Sequence, residues 1–200
     1  MNRSKWACGA GLLAALFPLF AHAHSETGAT GFMAGLLHPV FGFDHLLAML
    51  SVGILSAQMG GRSIWTVPAL FVTAMIGGGI LGANHVDFPF VETGIALSVV
   101  VLGIGIIFAR RGKLAPLFIM VFVAFFGSLH GHAHGAEMPG SASPVYYSFG
   151  FVISTSTIHL IGVLIGHNFM RHHVLERALT VVGGAVASIG ILFLFGLPIG

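Results

Sequence analysis

Charged residues are scarce in this sequence. Only 7% of its 200 residues are Asp, Glu, Lys or Arg, whereas a soluble domain carries about a quarter. Hydrophobic residues make up 56% and the mean hydropathy is +0.98. The chain therefore lacks the polar surface of a water-soluble domain. Its few basic residues lie in short connectors, so nucleic acid is not an expected partner. The apolar composition predicts that the chain lies in a lipid bilayer.

Cysteine is almost absent as well. Cys8 is the only one, and it lies in the first apolar segment. This excludes a disulfide framework and a thiolate metal cage. The sequence also has no Walker-type phosphate-binding motif, so coupling to ATP within this chain is not expected.

The N-terminus has the pattern of a secretory signal. Arg3 and Lys5 precede an apolar run from Trp6 to Phe20, which ends at Ala21-His22-Ala23. A basic start, an apolar middle and an A-x-A end predict a signal peptide, 1–23, with cleavage after Ala23. The alternative is an uncleaved first helix.

The remainder, 24–200, predicts an all-α polytopic membrane domain. Apolar runs long enough to span a bilayer recur along it, and glycine is abundant, at 29 residues, as where membrane helices pack closely. Six transmembrane helices are expected, at about 29–59, 64–83, 89–109, 114–134, 145–168 and 178–197.

The connectors predict the orientation. If Arg3 and Lys5 lie inside, alternate loops also lie inside. These loops hold all the other basic residues, namely Arg62, Arg110, Arg111, Lys113, Arg171 and Arg177. Such a positive-inside pattern predicts a bacterial inner-membrane protein whose mature N-terminus and C-terminus are both periplasmic.

Twelve histidines are unusual in so apolar a chain, and the first mature span contains a conspicuous cluster. It reads His38-Pro39-Val-Phe-Gly42-Phe-Asp44-His45. In an unbroken helix the two histidines lie about 10 Å apart along the axis and cannot share an ion. Pro39 and Gly42 therefore predict a broken helix, which many transporters use to build an ion site. Asp44 is expected to bind metal or to orient a ligating histidine.

A second cluster ends the fourth span. His130 and His134, four residues apart, share one helical face, and Glu137 extends it. These three are candidate metal ligands. His132 points elsewhere if the helix persists, and is a weaker candidate. The alternative is a histidine-rich loop that gathers metal weakly.

Two isolated polar residues inside spans complete the strong candidates. Glu92 lies near the outer end of the third span, where the helix dipole would also stabilise a carboxylate. His159 lies within the fifth span, where it is either a ligand or a buried histidine bonded to a hydroxyl. The weaker candidates lie nearer the ends of the spans: His24 at the mature N-terminus, His85 and Asp87 in an outer loop, and His167, His172 and His173 in a basic loop.

Depth orders the strong candidates. Glu92, His130, His134 and Glu137 fall in the outer half of the membrane, and His38, Asp44, His45 and His159 nearer its middle. This order predicts capture outside followed by transfer inward.

The ligand types restrict the metal. Imidazole with carboxylate suits Ni²⁺, Co²⁺, Zn²⁺ or Cu²⁺ better than Cu⁺, Mg²⁺ or Ca²⁺. The expected ion is cargo, so neither a prosthetic group nor an enzymatic reaction is predicted. The same residues would also fit a membrane-embedded metalloenzyme or a b-type haem protein. A homo-oligomer is compatible with the sequence.

His38-Pro-x-x-Gly-x-Asp-His45 and His130-Gly-x-Ala-His134-Gly-x-Glu137 resemble the HupE/UreJ family of hydrogenase and urease accessory membrane proteins, as do Glu92 and His159. The resemblance extends over the mature chain. It implies nickel permeation, or cobalt permeation as in some members, with delivery to hydrogenase or urease maturation.

Overall fold

The computed structural model describes residues 28–109, 116–140, 142–171 and 173–196. The predicted signal peptide, 1–23, and His24 lie outside them. Within the described ranges the chain is helical and contains no strand. The helices are α1 (Gly28–Phe41), α2 (Phe43–Met59), α3 (Ser63–Ala83), α4 (Val91–Ala109), α5 (Pro116–Ala136), α6 (Pro144–Arg171) and α7 (His173–Leu194).

The helices match the expected spans. In the described residues, five helices are long and apolar enough to cross a membrane, and α1 with α2 makes a sixth span if the bent pair is counted as one. The all-helical, multi-span prediction is therefore confirmed. The chain is a membrane protein, as its composition indicates.

The break in the first span lies at Gly42. Pro39 stays inside α1, and α1 and α2 meet at an angle of 78°. Gly42 itself is extended, with φ −81° and ψ 101°. A Cβ at this position would lie 3.2 Å from Nδ1 of His45 and 3.4 Å from Oδ1 of Asp44. Glycine here lets these two side chains lie against the turn.

Glycines set the close packing of neighbouring helices. A Cβ on Gly78 of α3 would overlap the carbonyl of Ser128, and one on Gly131 of α5 would overlap the carbonyl of Met75. The two backbones therefore touch directly, as small residues permit in membranes. This contact holds the histidines of α5 at a fixed distance from α3.

The bundle has two ends with different chemistry. At one end, which we call the histidine end, lie the turn at Gly42, the loop 84–90 and the residues 137–140 and 142–143. At the other, the arginine end, lie Arg62, Arg171 and Arg177. Buried apolar side chains from all helices but α1 fill the bundle between these ends: Met49, Val52, Val67, Val99, Leu102, Ile119, Val123, Ile158 and Val186.

Candidate metal centre

The break at Gly42 brings both histidines of the first span to His134. The ring centroid of His38 lies 4.6 Å from that of His134, and the centroid of His45 lies 4.2 Å from it. A straight helix would separate the first two rings by about 10 Å along its axis. The broken helix thus converts two distant imidazoles into neighbours of a third.

A triad of two imidazoles and one carboxylate consists of His38, His134 and Glu137. One ligand atom from each lies within 4.8 Å of the other two, which is compatible with a shared metal ion. Nε2 of His38 lies 3.2 Å from Oε2 of Glu137. Glu137 follows the last turn of α5, and its hydrogen bond with His38 lowers the pKa of the carboxyl group. The bond therefore favours the ionised form that binds cations.

His45 and His130 form an imidazole pair beside the triad, with ring centroids 4.9 Å apart. Nδ1 of His45 donates to Oδ1 of Asp44 over 2.7 Å, and Nδ1 of His130 donates to the carbonyl of Phe126 over 2.9 Å. Each bond fixes the tautomer that leaves a lone pair on Nε2. Asp44 therefore has the orienting geometry of a carboxylate behind a ligating histidine.

The ring nitrogens of the cluster are buried without partners. Among the described residues, Nε2 of His45, Nε2 of His130 and both nitrogens of His134 have no hydrogen-bond partner. These three residues are 7%, 0% and 2% exposed. Buried polar atoms in proteins are almost always satisfied. Several unsatisfied nitrogens close together fit a site built for a cation.

His159 is buried apart from this cluster. It is 2% exposed, and neither ring nitrogen has a partner in the described part of the chain. The ring of Phe71 lies 5.1 Å from His159 and 5.4 Å from His130, measured between centroids. A phenyl ring therefore lies against both imidazoles.

Glu92 faces a different space from the triad of His38, His134 and Glu137. A cavity of about 250 Å³ at the histidine end is lined by Glu92, Asp44, Thr93 and Phe193. A second cavity, of about 400 Å³, is lined by His134, Tyr147 and Phe151, together with α3. The first cavity thus borders Asp44, and the second borders His134 of the histidine cluster.

The weaker candidates whose side chains the structure describes do not join the cluster. Nε2 of His132 lies 2.7 Å from the carbonyl of Val86, so this ring ties α5 to the loop 84–90. The side chains of His85, Asp87 and His167 are exposed. His172 and the side chain of His173 lie outside the described residues.

The depth order differs from the sequence expectation for the whole His38–His45 segment: His38, Asp44 and His45, predicted nearer the middle of the membrane, lie beside residues predicted in its outer half, namely His134, Glu137 and Glu92. His38 was expected nearer the middle of the membrane than Glu137, yet the two side chains are in contact. The reason is the bend at Gly42, because the expected depth of His38 assumes a straight helix.

Three aromatic residues lie in the site although no sequence pattern marks them as site residues. The Phe151 ring lies 4.1 Å from His134, the Tyr147 ring lies 6.2 Å from His38, and Phe71 contacts His130 and His159. In an apolar span, such aromatics have the appearance of core or interface residues. Only the polarity of Tyr147 could have drawn attention to it.

Comparisons with known proteins agree with the motifs. The family model described as HupE / UreJ protein matches residues 12–193. Protein HupE of Rhizobium leguminosarum bv. viciae is 39% identical over 186 residues, which cover 92% of this chain and 95% of that protein. No solved structure matches. On the family model and this relative, the chain belongs to the HupE/UreJ family.

Proposed function

We propose that this protein is an inner-membrane permease that takes up a divalent transition metal ion, Ni²⁺ first and Co²⁺ second. One observation carries the proposal. The broken first span places His38 and His45 against His134, in a buried cluster whose ring nitrogens have no partners among the described residues. Broken spans of this kind line ion sites in transporters.

The donor set supports a borderline metal ion. The cluster offers imidazole nitrogens with carboxylates of Glu137 and Asp44, and the residues that the structure describes include no cysteine. Such donors suit Ni²⁺, Co²⁺, Zn²⁺ and Cu²⁺. Membership of the HupE/UreJ family favours nickel, then cobalt, and favours delivery to the maturation of a nickel enzyme such as hydrogenase or urease.

Charge supports an inward direction. Arg62, Arg171 and Arg177 lie at the arginine end, which the positive-inside rule places in the cytoplasm. The histidine end then faces the periplasm and captures ions from it. A membrane potential that is negative inside favours entry by about 2.3 kcal/mol per charge per 100 mV.

Uptake of radiolabelled Ni²⁺ by cells that express the full chain tests the proposal. His38→Ala or Asp44→Ala should abolish uptake, because each removes a ligand or the group that orients one. His167→Ala, an exposed histidine outside the cluster, is the matched control and should transport normally. Uptake that is unaffected by the first two substitutions would contradict the permease. Competition by Co²⁺, Zn²⁺ and Cu²⁺ in the same assay ranks the metals.

A further inference from the structure

Phe71 lies where the metal path would continue from the imidazole pair. Its side chain is fully buried, at 0% exposure, and its ring contacts His130 at 5.4 Å and His159 at 5.1 Å. The ring of His159 meets it edge to face, at 88°. The phenyl group is therefore in contact with both imidazoles.

The imidazoles on its two sides both have free nitrogens. Nε2 of His130 and both ring nitrogens of His159 have no partner within the described ranges. An ion held by His130 would find the next set of donors at His159. The ring of Phe71 packs against both imidazoles of this step.

The backbone of Phe71 cannot move aside easily. A Cβ on Gly127 of α5 would lie only 2.8 Å from the carbonyl oxygen of Phe71, so the two helices are in backbone contact here. Opening therefore requires rotation of the phenyl ring rather than separation of the helices. Rings in this position act as hydrophobic constrictions, which exclude water and hydrated ions.

We propose that Phe71 is the barrier between the histidine cluster and His159, and that it selects for ions that exchange water for imidazole. This inference rests on the proposed function, because it assigns a selectivity residue to that path. Mg²⁺ keeps its water shell tenaciously, so the ring blocks it. Ni²⁺ takes imidazole ligands readily and passes from His130 to His159 when the ring rotates.

The first test measures ion entry into proteoliposomes that contain the full chain and an enclosed metal-sensitive dye. Phe71→Ala should increase Mg²⁺ entry at least about threefold, because it replaces a hydrophobic constriction by a space that water can fill. Phe71→Leu, which keeps most of the apolar volume, should fold normally and give a smaller increase. Ni²⁺ entry should not fall in either variant.

Phe126→Ala is the matched control. Phe126 is also a buried phenyl group, 5% exposed, but its ring packs against Phe122 and Phe125. This variant should keep wild-type selectivity. Wild-type exclusion of Mg²⁺ by folded Phe71→Ala and Phe71→Leu proteins would overturn the barrier while leaving the permease intact.

The second test does not depend on transport, so it also decides the case if the wild type moves no ion and the permease fails. Co²⁺ is mixed rapidly with the purified full chain, and its binding is followed over time by visible absorption. In the wild type, a fast phase at the histidine cluster should be followed by a slower phase that is absent in His159→Ala, because ions reach His159 only when the Phe71 ring rotates. In Phe71→Ala the slower phase should become at least about threefold faster, because the hydrophobic constriction is removed. A single phase in the wild type, or a slower phase that Phe71→Ala leaves at its wild-type rate, would overturn the barrier.

Discussion

The histidine end of the bundle is rich in polar side chains, whereas the middle of the bundle is apolar. At the histidine end, imidazoles and carboxylates lie together, with cavities of about 400 Å³ and 250 Å³ beside them. In the middle of the bundle, side chains such as Met49, Val52, Val99 and Leu102 are buried at 0–2% exposure. Polar atoms without partners therefore concentrate at one end, and close apolar packing occupies the next layer.

The difference indicates which step each region controls. A region with unsatisfied donors and adjoining space can exchange a cation with solvent at little cost. A close-packed apolar layer blocks a cation, because an unsolvated charge in hydrocarbon is expensive. In the proposed permease, metal ions enter at the histidine end, and the apolar layer closes the path toward the arginine end. Substitutions at the two ends should therefore affect binding and stability differently.

The largest expected effect is a loss of Co²⁺ binding when His134 is replaced, in contrast to His132, two residues away on α5. His134 contacts both His38 and His45, whereas His132 bonds to a loop carbonyl. His134→Ala should weaken Co²⁺ binding by on the order of 100-fold or more, since even groups behind a ligand contribute 10–100-fold. Titration of the purified protein, followed by visible absorption, measures this.

His132→Ala is the control for that prediction, because it removes the same group from the same helix. It should leave Co²⁺ affinity within about threefold of the wild type, as expected for a residue that is not a ligand. Equal losses in the two variants would contradict the assignment of His134 to the centre of the cluster.

A smaller effect is expected from Asp44→Asn. The carboxylate accepts the Nδ1 proton of His45 over 2.7 Å, and so holds the tautomer with Nε2 free. An amide keeps the size but removes the charge, which should lower Co²⁺ affinity by about 10–100-fold. Asp87→Asn, an exposed carboxylate in the loop 84–90, is the control and should bind normally. Similar losses in both variants would indicate a diffuse electrostatic effect instead.

Much of the fold follows from one-dimensional patterns. Apolar length locates the spans, because the thickness of the bilayer fixes how many residues a helix needs to cross it. The spacing of His130 and His134 places them on one face of α5, and in the structure both rings lie against His45. Pro39 and Gly42 predict the break in the first span, and the turn itself falls at Gly42.

The remaining features depend on contacts between helices. The contact of His38 with Glu137 requires the 78° bend, and no local pattern specifies an angle. Phe71 is one of 18 phenylalanines in the chain, so nothing in its neighbourhood marks it as a ring between two histidines. Its position depends on how α3 packs against α5 and α6. Glu92 has the same difficulty, because its cavity forms only when α2, α4 and α7 meet.

Gln58, toward the arginine end, provides the smallest effect and the sharpest contrast with the histidine end. Its Nε2 donates to the carbonyl of Ile106 over 2.9 Å, while its Oε1 has no partner among the described residues. Gln58→Leu loses one hydrogen bond but also removes an unsatisfied buried oxygen, so the free energy of unfolding should change by about 1 kcal/mol or less. Co²⁺ affinity should not change, because no ligand moves. Thermal unfolding in detergent and the Co²⁺ titration check the two statements, and a loss of Co²⁺ affinity would show that the metal site extends through the apolar layer.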